Sequence, residues 1–141
     1  DMDLSENEID ESIYDAMLLS VDVAHALHPN KKEKMDITNM PVMGKGFCIK
    51  QACSQSYATD AQAIAILCQL CDEKGIPYQR FVNRSDSRGG STLGSIAGTL
   101  LPVKTVDIGI PILAMHSACE LMGVRDMKAL SDCVTAFFGY H

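Results

Sequence analysis

Residues 104–115, KTVDIGIPILAM, decide the fold of this chain. Polar and apolar residues alternate over residues 104–110, and the apolar character then continues through residues 111–115. This pattern predicts a β-strand with a kinked exit. Short apolar runs earlier in the chain predict three more strands, at residues 16–23, 46–51 and 78–83. The first of these is expected to be buried.

Helical patterns separate the predicted strands. Two capping boxes, SENE at residues 5–8 and TDAQ at residues 59–62, each precede apolar residues at helical spacing. The second helix is expected to end at Gly75, a short third helix follows a glycine-rich turn, and a fourth helix covers residues 124–138. The segment 28–43 is predicted to be loop. Alternating strands and helices predict an α/β fold with a largely parallel sheet flanked by helices.

The composition bounds the class of protein. The 141 residues suffice for one domain with a core, since 47% are hydrophobic and 21% charged. No apolar run approaches the roughly 18 residues of a membrane span, so no membrane partner is expected. There are 12 Lys and Arg against 18 Asp and Glu, and seven of the acids fall within the first fifteen residues. The rest of the chain is nearly neutral, which argues against the basic surface of a nucleic-acid binder.

Six cysteines favour a reduced, cytoplasmic protein, because a chain of this length and apolar content does not need disulfides to fold. Cys68 and Cys71 form the pattern CQLC within the predicted second helix. Two interpretations stay open, a redox pair or two cysteines buried on a helix face. The helical setting favours the second.

Two side chains with metal-binding chemistry follow predicted strands. Asp22 closes the first apolar strand, and His116 follows the last. Ligands of open parallel sheets bind outside the carboxyl ends of the strands, so these groups are candidate ligands for zinc or a similar divalent metal. The alternative is an Asp that holds a turn and a His hydrogen-bonded near the core. His25 and His28 share a predicted loop in which Pro29 disfavours a helical turn, so His25 is expected to donate a hydrogen bond to a ligand.

The glycine-rich turn GGSTLG at residues 89–94 also has two interpretations. It holds an anion at a helix amino terminus, or it is a tight turn whose backbone approaches a substrate. It lacks the Gly-Lys-Ser/Thr ending of a phosphate-binding loop and the spacing of the dinucleotide pattern. Nucleotide binding is therefore disfavoured.

Two longer motifs, AHALHPN at residues 24–30 and DIGIPILAMHS at residues 107–117, belong to a series of motifs along the chain. The other members are SVD at 20–22, KG at 45–46, IK at 49–50, YAT at 57–59, RSD at 84–86 and GSTLG at 90–94. In order and rough spacing, over about residues 12–139, the series resembles the aspartyl aminopeptidase family of zinc metallopeptidases.

The resemblance implies a layered zinc-peptidase fold and an aminopeptidase that uses two zinc ions side by side. It implies that Asp22 binds one zinc and His116 the other, while His25, Lys50 and Tyr57 line the substrate pocket. The cation and the donors of that pocket would suit a peptide with an acidic amino-terminal residue. A homo-oligomer is also expected.

The resemblance is incomplete in ways that bear on function. This chain has Gly46-Phe47-Cys48 where the family has Gly-Pro-Val, and Ser56 where the family has Arg. The family's other metal ligands and its general-base glutamate lie amino-terminal to the matching part. We therefore expect residues 1–141 to be the carboxyl-terminal portion of a metallo-aminopeptidase catalytic domain, with zinc weakly held or absent and no activity without the amino-terminal half. The alternative is a non-catalytic interaction or assembly module that keeps the fold.

Overall fold

The computed structural model describes residues 4–87 and 89–139 as a mixed sheet with helices on both faces. In chain order the elements are α1 (Glu6–Asp15), β1 (Met17–His25), β2 (Phe47–Gln51), α2 (Ala61–Lys74), β3 (Tyr78–Val82), α3 (Leu93–Leu100), β4 (Lys104–Leu113), β5 (Leu121–Met122) and α4 (Val124–Phe138), with a single 3-10 turn at Lys32–Lys34 in the loop after β1. No helix within these described ranges is long and apolar enough to cross a membrane.

The strands lie in the order β1-β4-β2-β3, and β5 pairs with the end of β4. Strand β1 runs parallel to β4 from the pair Met17–Lys104 to the pair His25–Ile112, and β2 runs parallel to β3. Strand β4 is antiparallel to both β2 and β5. The predicted α/β fold is confirmed, and its two longest strand pairings are the parallel ones.

The main core lies on the sheet face that α2 and α4 cover. Alternate residues of the central strands point into it, and both helices contribute an apolar stripe, because burial of these faces removes them from water. Its fully buried members include Phe47, Ile49, Leu67, Val106, Ile108 and Cys133. On the opposite face α3 packs on β1 and β4, and a smaller apolar cluster contains Tyr57 and Phe81. This second face carries the polar residues of interest.

Strand β1 is longer and more exposed than the sequence predicted. It extends to His25 because its parallel pairing with β4 continues as far as Ile112. Ala24 is its one buried residue and Val21 is 50% exposed, so the prediction of a buried strand is wrong. The physical reason is position: β1 is an edge strand, with β4 on one side only among the described strands.

The helix ends follow the chemistry of their capping residues. At α1 the Ser5 hydroxyl accepts from the Glu8 N–H, and the Glu8 carboxylate accepts from the Ser5 N–H at 2.8 Å, so the first capping box is confirmed. At α2 the cap is Asp60, whose carboxylate accepts from the Ala63 N–H at 2.7 Å. Thr59 was expected to cap this helix, but its backbone is held in a bridge to β4.

Gly46 lies immediately before β2, where the backbone passes close to the backbone of Pro77. Its φ is +104°, and a Cβ atom there would lie 2.1 Å from the carbonyl oxygen of Pro77. We expect Gly46→Ala to lower the free energy of unfolding by about 3 kcal/mol or more, because the backbone strain and the clash add. Gly44→Ala is the matched control, since φ is +88° but no atom lies within 4 Å. If urea unfolding shows the same decrease in unfolding free energy for both variants, this account is contradicted.

Candidate metal and substrate site

Asp22 lies near the carboxyl end of β1, and its closest charged partner is Lys50 of β2. Strand β4 runs between these two strands, and at Gly109, opposite Asp22, it has no side chain to fill the space. Lys50 Nζ donates to Asp22 Oδ2 at 3.2 Å and to the carbonyl oxygen of Val23 at 3.0 Å. The Lys50 side chain is 3% exposed and that of Asp22 is 50% exposed. The ion pair therefore faces solvent on the carboxylate side.

The surroundings of Asp22 favour its ionised form. Partial desolvation would raise the pKa of this carboxyl, but the Val23 N–H, the Lys50 ammonium and the His116 imidazole together lower it below its usual value. An ionised carboxylate with an exposed side is the form that a divalent metal requires.

His116 lies in a tight turn at the exit of β4. Its φ is 68° and that of Ala114 is 57°, so two non-glycine residues adopt left-handed backbone around Met115. The turn is held by the Ser117 N–H, which donates to the Ala114 carbonyl, and by the His116 N–H, which donates to the Glu120 carboxylate. The His116 side chain is exposed, and its charge lowers the pKa of both Asp22 and His25.

His25 and Tyr57 both pack against the aromatic ring of Phe81. The ring centroids of His25 and Tyr57 lie 6.5 Å and 6.1 Å from that of Phe81. Lys50 Nζ lies 5.0 Å from the Tyr57 centroid, and Asn83 Nδ2 donates to the Tyr57 hydroxyl at 3.2 Å. Desolvation, followed by the charges of His116 and Lys50, lowers the pKa of His25, which favours the neutral imidazole.

The prediction that His25 and His28 share a loop is wrong, because His25 is the last residue of β1. His28 lies in the loop that follows, where its Nδ1 accepts from the Asn30 N–H at 3.1 Å. Both imidazoles line a cavity of about 500 Å³ together with Tyr57. Further basic groups in this lining are Lys31, Lys34 and Arg84.

Asp107 is a buried acid of this region that the sequence analysis did not single out. Its carboxylate is 0% exposed, and its Oδ2 accepts from the Ala58 N–H and from the Thr92 hydroxyl, both at 2.6 Å. It thereby ties the segment after Tyr57 to the glycine-rich turn, which is consistent with the tight-turn interpretation of residues 89–94. An acid inside the apolar run 104–115 was the available signal, the same one that identified Asp22.

Asp36 organises the loop on the rim of the neighbouring cavity. The Thr38 and Asn39 side chains and backbone N–H groups donate to this partly exposed carboxylate, which lowers its pKa to about 2. Because the folded-state pKa is depressed, this ionisation stabilises the fold above the unfolded pKa, and the contribution is lost as pH falls towards 2.

We expect Thr38→Ala to raise the pKa of Asp36, measured by carboxyl NMR titration. Thr99→Ala, on exposed α3, should leave that pKa unchanged, and a shift there instead would contradict the assignment.

The described residues supply part of a zinc site. Within residues 4–87 and 89–139, no group of three or more His, Cys, Asp or Glu side chains is placed to hold a metal ion. Asp22 and His116 offer a carboxylate and an imidazole, which are donors that zinc takes, and both are open to solvent. A catalytic zinc has about three protein ligands, so these two residues fit the ion only as members of a larger set.

The family model and the individual relatives that match this chain carry the same family description. The family model described as aminopeptidase I zinc metalloprotease (M18) matches residues 2–138. A probable M18 family aminopeptidase 2 of Clostridium novyi is 53% identical over 111 residues, which cover 79% of this chain and 26% of that protein. The protein of the same description from Clostridium acetobutylicum is 48% identical over 127 residues, covering 90% of this chain and 29% of its own length.

Solved structures agree with the sequence matches. The cryo-EM structure of an Ape4 and Nbr1 complex matches with a TM-score of 0.92 and 34% identity, covering 95% of this chain and 26% of that one. The S. cerevisiae mApe1 dodecamer matches with a TM-score of 0.83 and 25% identity, covering 94% and 28%. The chain thus spans between a quarter and a third of the length of these proteins.

Proposed function

The chain belongs to the aminopeptidase I zinc metalloprotease (M18) family, and we propose that it forms the carboxyl-terminal portion of the catalytic domain of an enzyme that removes acidic amino-terminal residues from peptides. The observation that supports this proposal is that β1 and β4 run parallel, so that Asp22 near the end of β1 and His116 after the end of β4 lie towards the same edge of the sheet, where the His116 charge acts on Asp22. These residues are far apart in the sequence.

Asp22 and His116 would each hold one zinc ion, with the remaining ligands supplied from outside residues 1–141. Two bound zinc ions would lower the pKa of a water molecule and polarise the first peptide carbonyl of the substrate. Lys50 orients Asp22 by holding Oδ2 at 3.2 Å. If the general base and the other ligands also come from outside residues 1–141, as the resemblance implies, the isolated chain should hold zinc weakly and be inactive.

The substrate side of the site follows from charge and hydrogen-bonding capacity. Lys50 has three N–H donors, and two of them bind Asp22 and Val23. Its side chain is 3% exposed and lies outside the lining of the cavity, so its positive charge would attract an acidic substrate side chain without contacting it, while His25 and the Tyr57 hydroxyl would donate hydrogen bonds. The basic residues of the adjoining cavity, Lys31, Lys34 and Arg84, favour the same acidic class.

Complementation tests this function. The full chain is combined with the part of the Clostridium acetobutylicum relative that it does not match, and zinc is added. We expect hydrolysis of aspartyl and glutamyl arylamides only when both parts and zinc are present, and slower hydrolysis of the leucyl arylamide as the matched control. A folded complex that binds zinc but remains inert would show that the roles assigned here are wrong.

The same proposal covers the cellular location and the oligomeric state of the enzyme. We infer a cytoplasmic homo-oligomer, as the cysteine content and the dodecameric relative of S. cerevisiae suggest.

A second candidate function, a non-catalytic assembly module, is favoured by the apolar surface of α3, where Leu93 and Leu100 are 81% and 76% exposed. An oligomer that never gains zinc when the other part is added would support that module.

A further inference from the structure

The cysteine in contact with Cys71 is not its neighbour in the CQLC motif. Cys71 on α2 and Cys133 on α4 are both fully buried, and their Sγ atoms lie 3.8 Å apart. Cys68 lies one turn earlier on α2, where it is partly buried against the main core. The two helices contact each other across the core, so Cys71 and Cys133 meet without any change of the fold.

We propose that Cys71 and Cys133 form a modification site, at which hydrogen peroxide converts the thiol pair into a disulfide that links α2 to α4. Neither thiol has a role in the zinc chemistry, since both lie on the sheet face opposite Lys50 and Asp107. The linkage would fix the two helices that cover the main core.

The two thiols are not equivalent in this chemistry. The Cys71 S–H donates to Cys133 Sγ, and this hydrogen bond lowers the pKa of Cys133 while it raises that of Cys71. Cys133 is therefore the nucleophile. Its thiolate attacks one peroxide oxygen, an S–O bond forms as the O–O bond breaks, and the released hydroxide takes a proton to become water. Cys71, losing its proton, then attacks the sulfenic sulfur, so the S–S bond forms as the S–O bond breaks and a second water leaves.

The other cysteines are placed differently. Cys53 and Cys119 are exposed in loops. Cys48 is buried, and desolvation, with the nearby Asp126 carboxylate, raises its pKa to about 12, which leaves it almost wholly as the unreactive thiol. Because Cys71 and Cys133 are shielded from solvent, their oxidation should be slower than that of Cys53 and Cys119.

The experiment uses the full chain with Cys53→Ser and Cys119→Ser, which removes the two exposed thiols. After peroxide treatment, we expect a mass loss of two hydrogen atoms, a peptide pair joined through Cys71 and Cys133, and a Tm raised by roughly 10 °C that dithiothreitol reverses. Adding Cys133→Ser should abolish the linkage, whereas adding the matched control Cys68→Ser should leave it intact.

Three results would overturn the proposal. A Cys68–Cys71 linkage would restore the redox interpretation of CQLC, and a mixture of pairings would show that the helices do not hold the two thiols together. Oxidation that stops at sulfinic acid on Cys133, with no linkage, would show that Cys71 does not reach it.

Discussion

Asp22→Asn in the complemented enzyme is expected to lower kcat/KM for an aspartyl arylamide by at least about 100-fold and to reduce the bound zinc. Asn has nearly the same shape, and its amide oxygen still accepts a hydrogen bond from Lys50. What it loses is the negative charge that attracts the metal. Since the Asp22 side chain is 50% exposed, the fold should survive the substitution. Zinc content by elemental analysis and kcat/KM are measured on the same sample.

Asp10→Asn, on the exposed face of α1, is the matched control and should change neither quantity. If Asp22→Asn retains zinc and activity, the carboxylate serves only to balance the buried Lys50, and the metal-ligand assignment fails. If zinc is retained while activity falls, Asp22 acts on the substrate through Lys50. His116→Gln should reproduce the loss of zinc.

Asp126→Ala is expected to lower the free energy of unfolding by about 4 kcal/mol, a large share of the ordinary stability of a domain. Asp126 is fully buried in the first turn of α4. Its two oxygens accept from the Gly44 N–H at 2.6 Å and the Gly46 N–H at 2.7 Å. Without the carboxylate the buried Gly46 N–H would be left without an acceptor and the more exposed Gly44 N–H would lose its hydrogen bond to a charged group, and each such loss costs about 1.5–3 kcal/mol.

Urea unfolding measures this effect, with Asp132→Ala as the control on the same helix. Asp132 pairs with Lys128 at 2.6 Å, but the pair is exposed, and such pairs contribute about 0.5 kcal/mol or less. Similar losses for the two variants would contradict the role given to Asp126. Asp126→Asn, which keeps one acceptor, should fall between them.

Local signals predicted most of the secondary structure. The capping box at Ser5, the stop at Gly75 and the limits of α4 all depend on residues within a few positions of each other, so the sequence displays them directly. The exposure of β1 could not be predicted in this way. It depends on which strand occupies the centre of the sheet, and that is decided by pairings between distant residues.

In the candidate site, too, some features could be predicted from the local sequence and others depend on contacts between distant residues. Asp22 and His116 could be selected because each follows an apolar strand, and their metal-binding role stays a prediction. The hydrogen bond from Lys50 to Asp22 depends on the antiparallel register of β2 with β4, and the contact of Cys71 with Cys133 depends on the packing of α2 against α4. Neither leaves a pattern in the sequence, because the partners lie tens of residues apart.

The edge position of β1 has a consequence for handling the protein. Along nine residues this strand presents main-chain donors and acceptors that no other described strand satisfies. Such an unpaired strand edge is a template for the addition of strands from other chains and for fibril growth. Because Asp22 lies on the same strand, strand addition would compete with metal binding at the proposed site, and a partner that covers this strand edge would also protect the chain from aggregation.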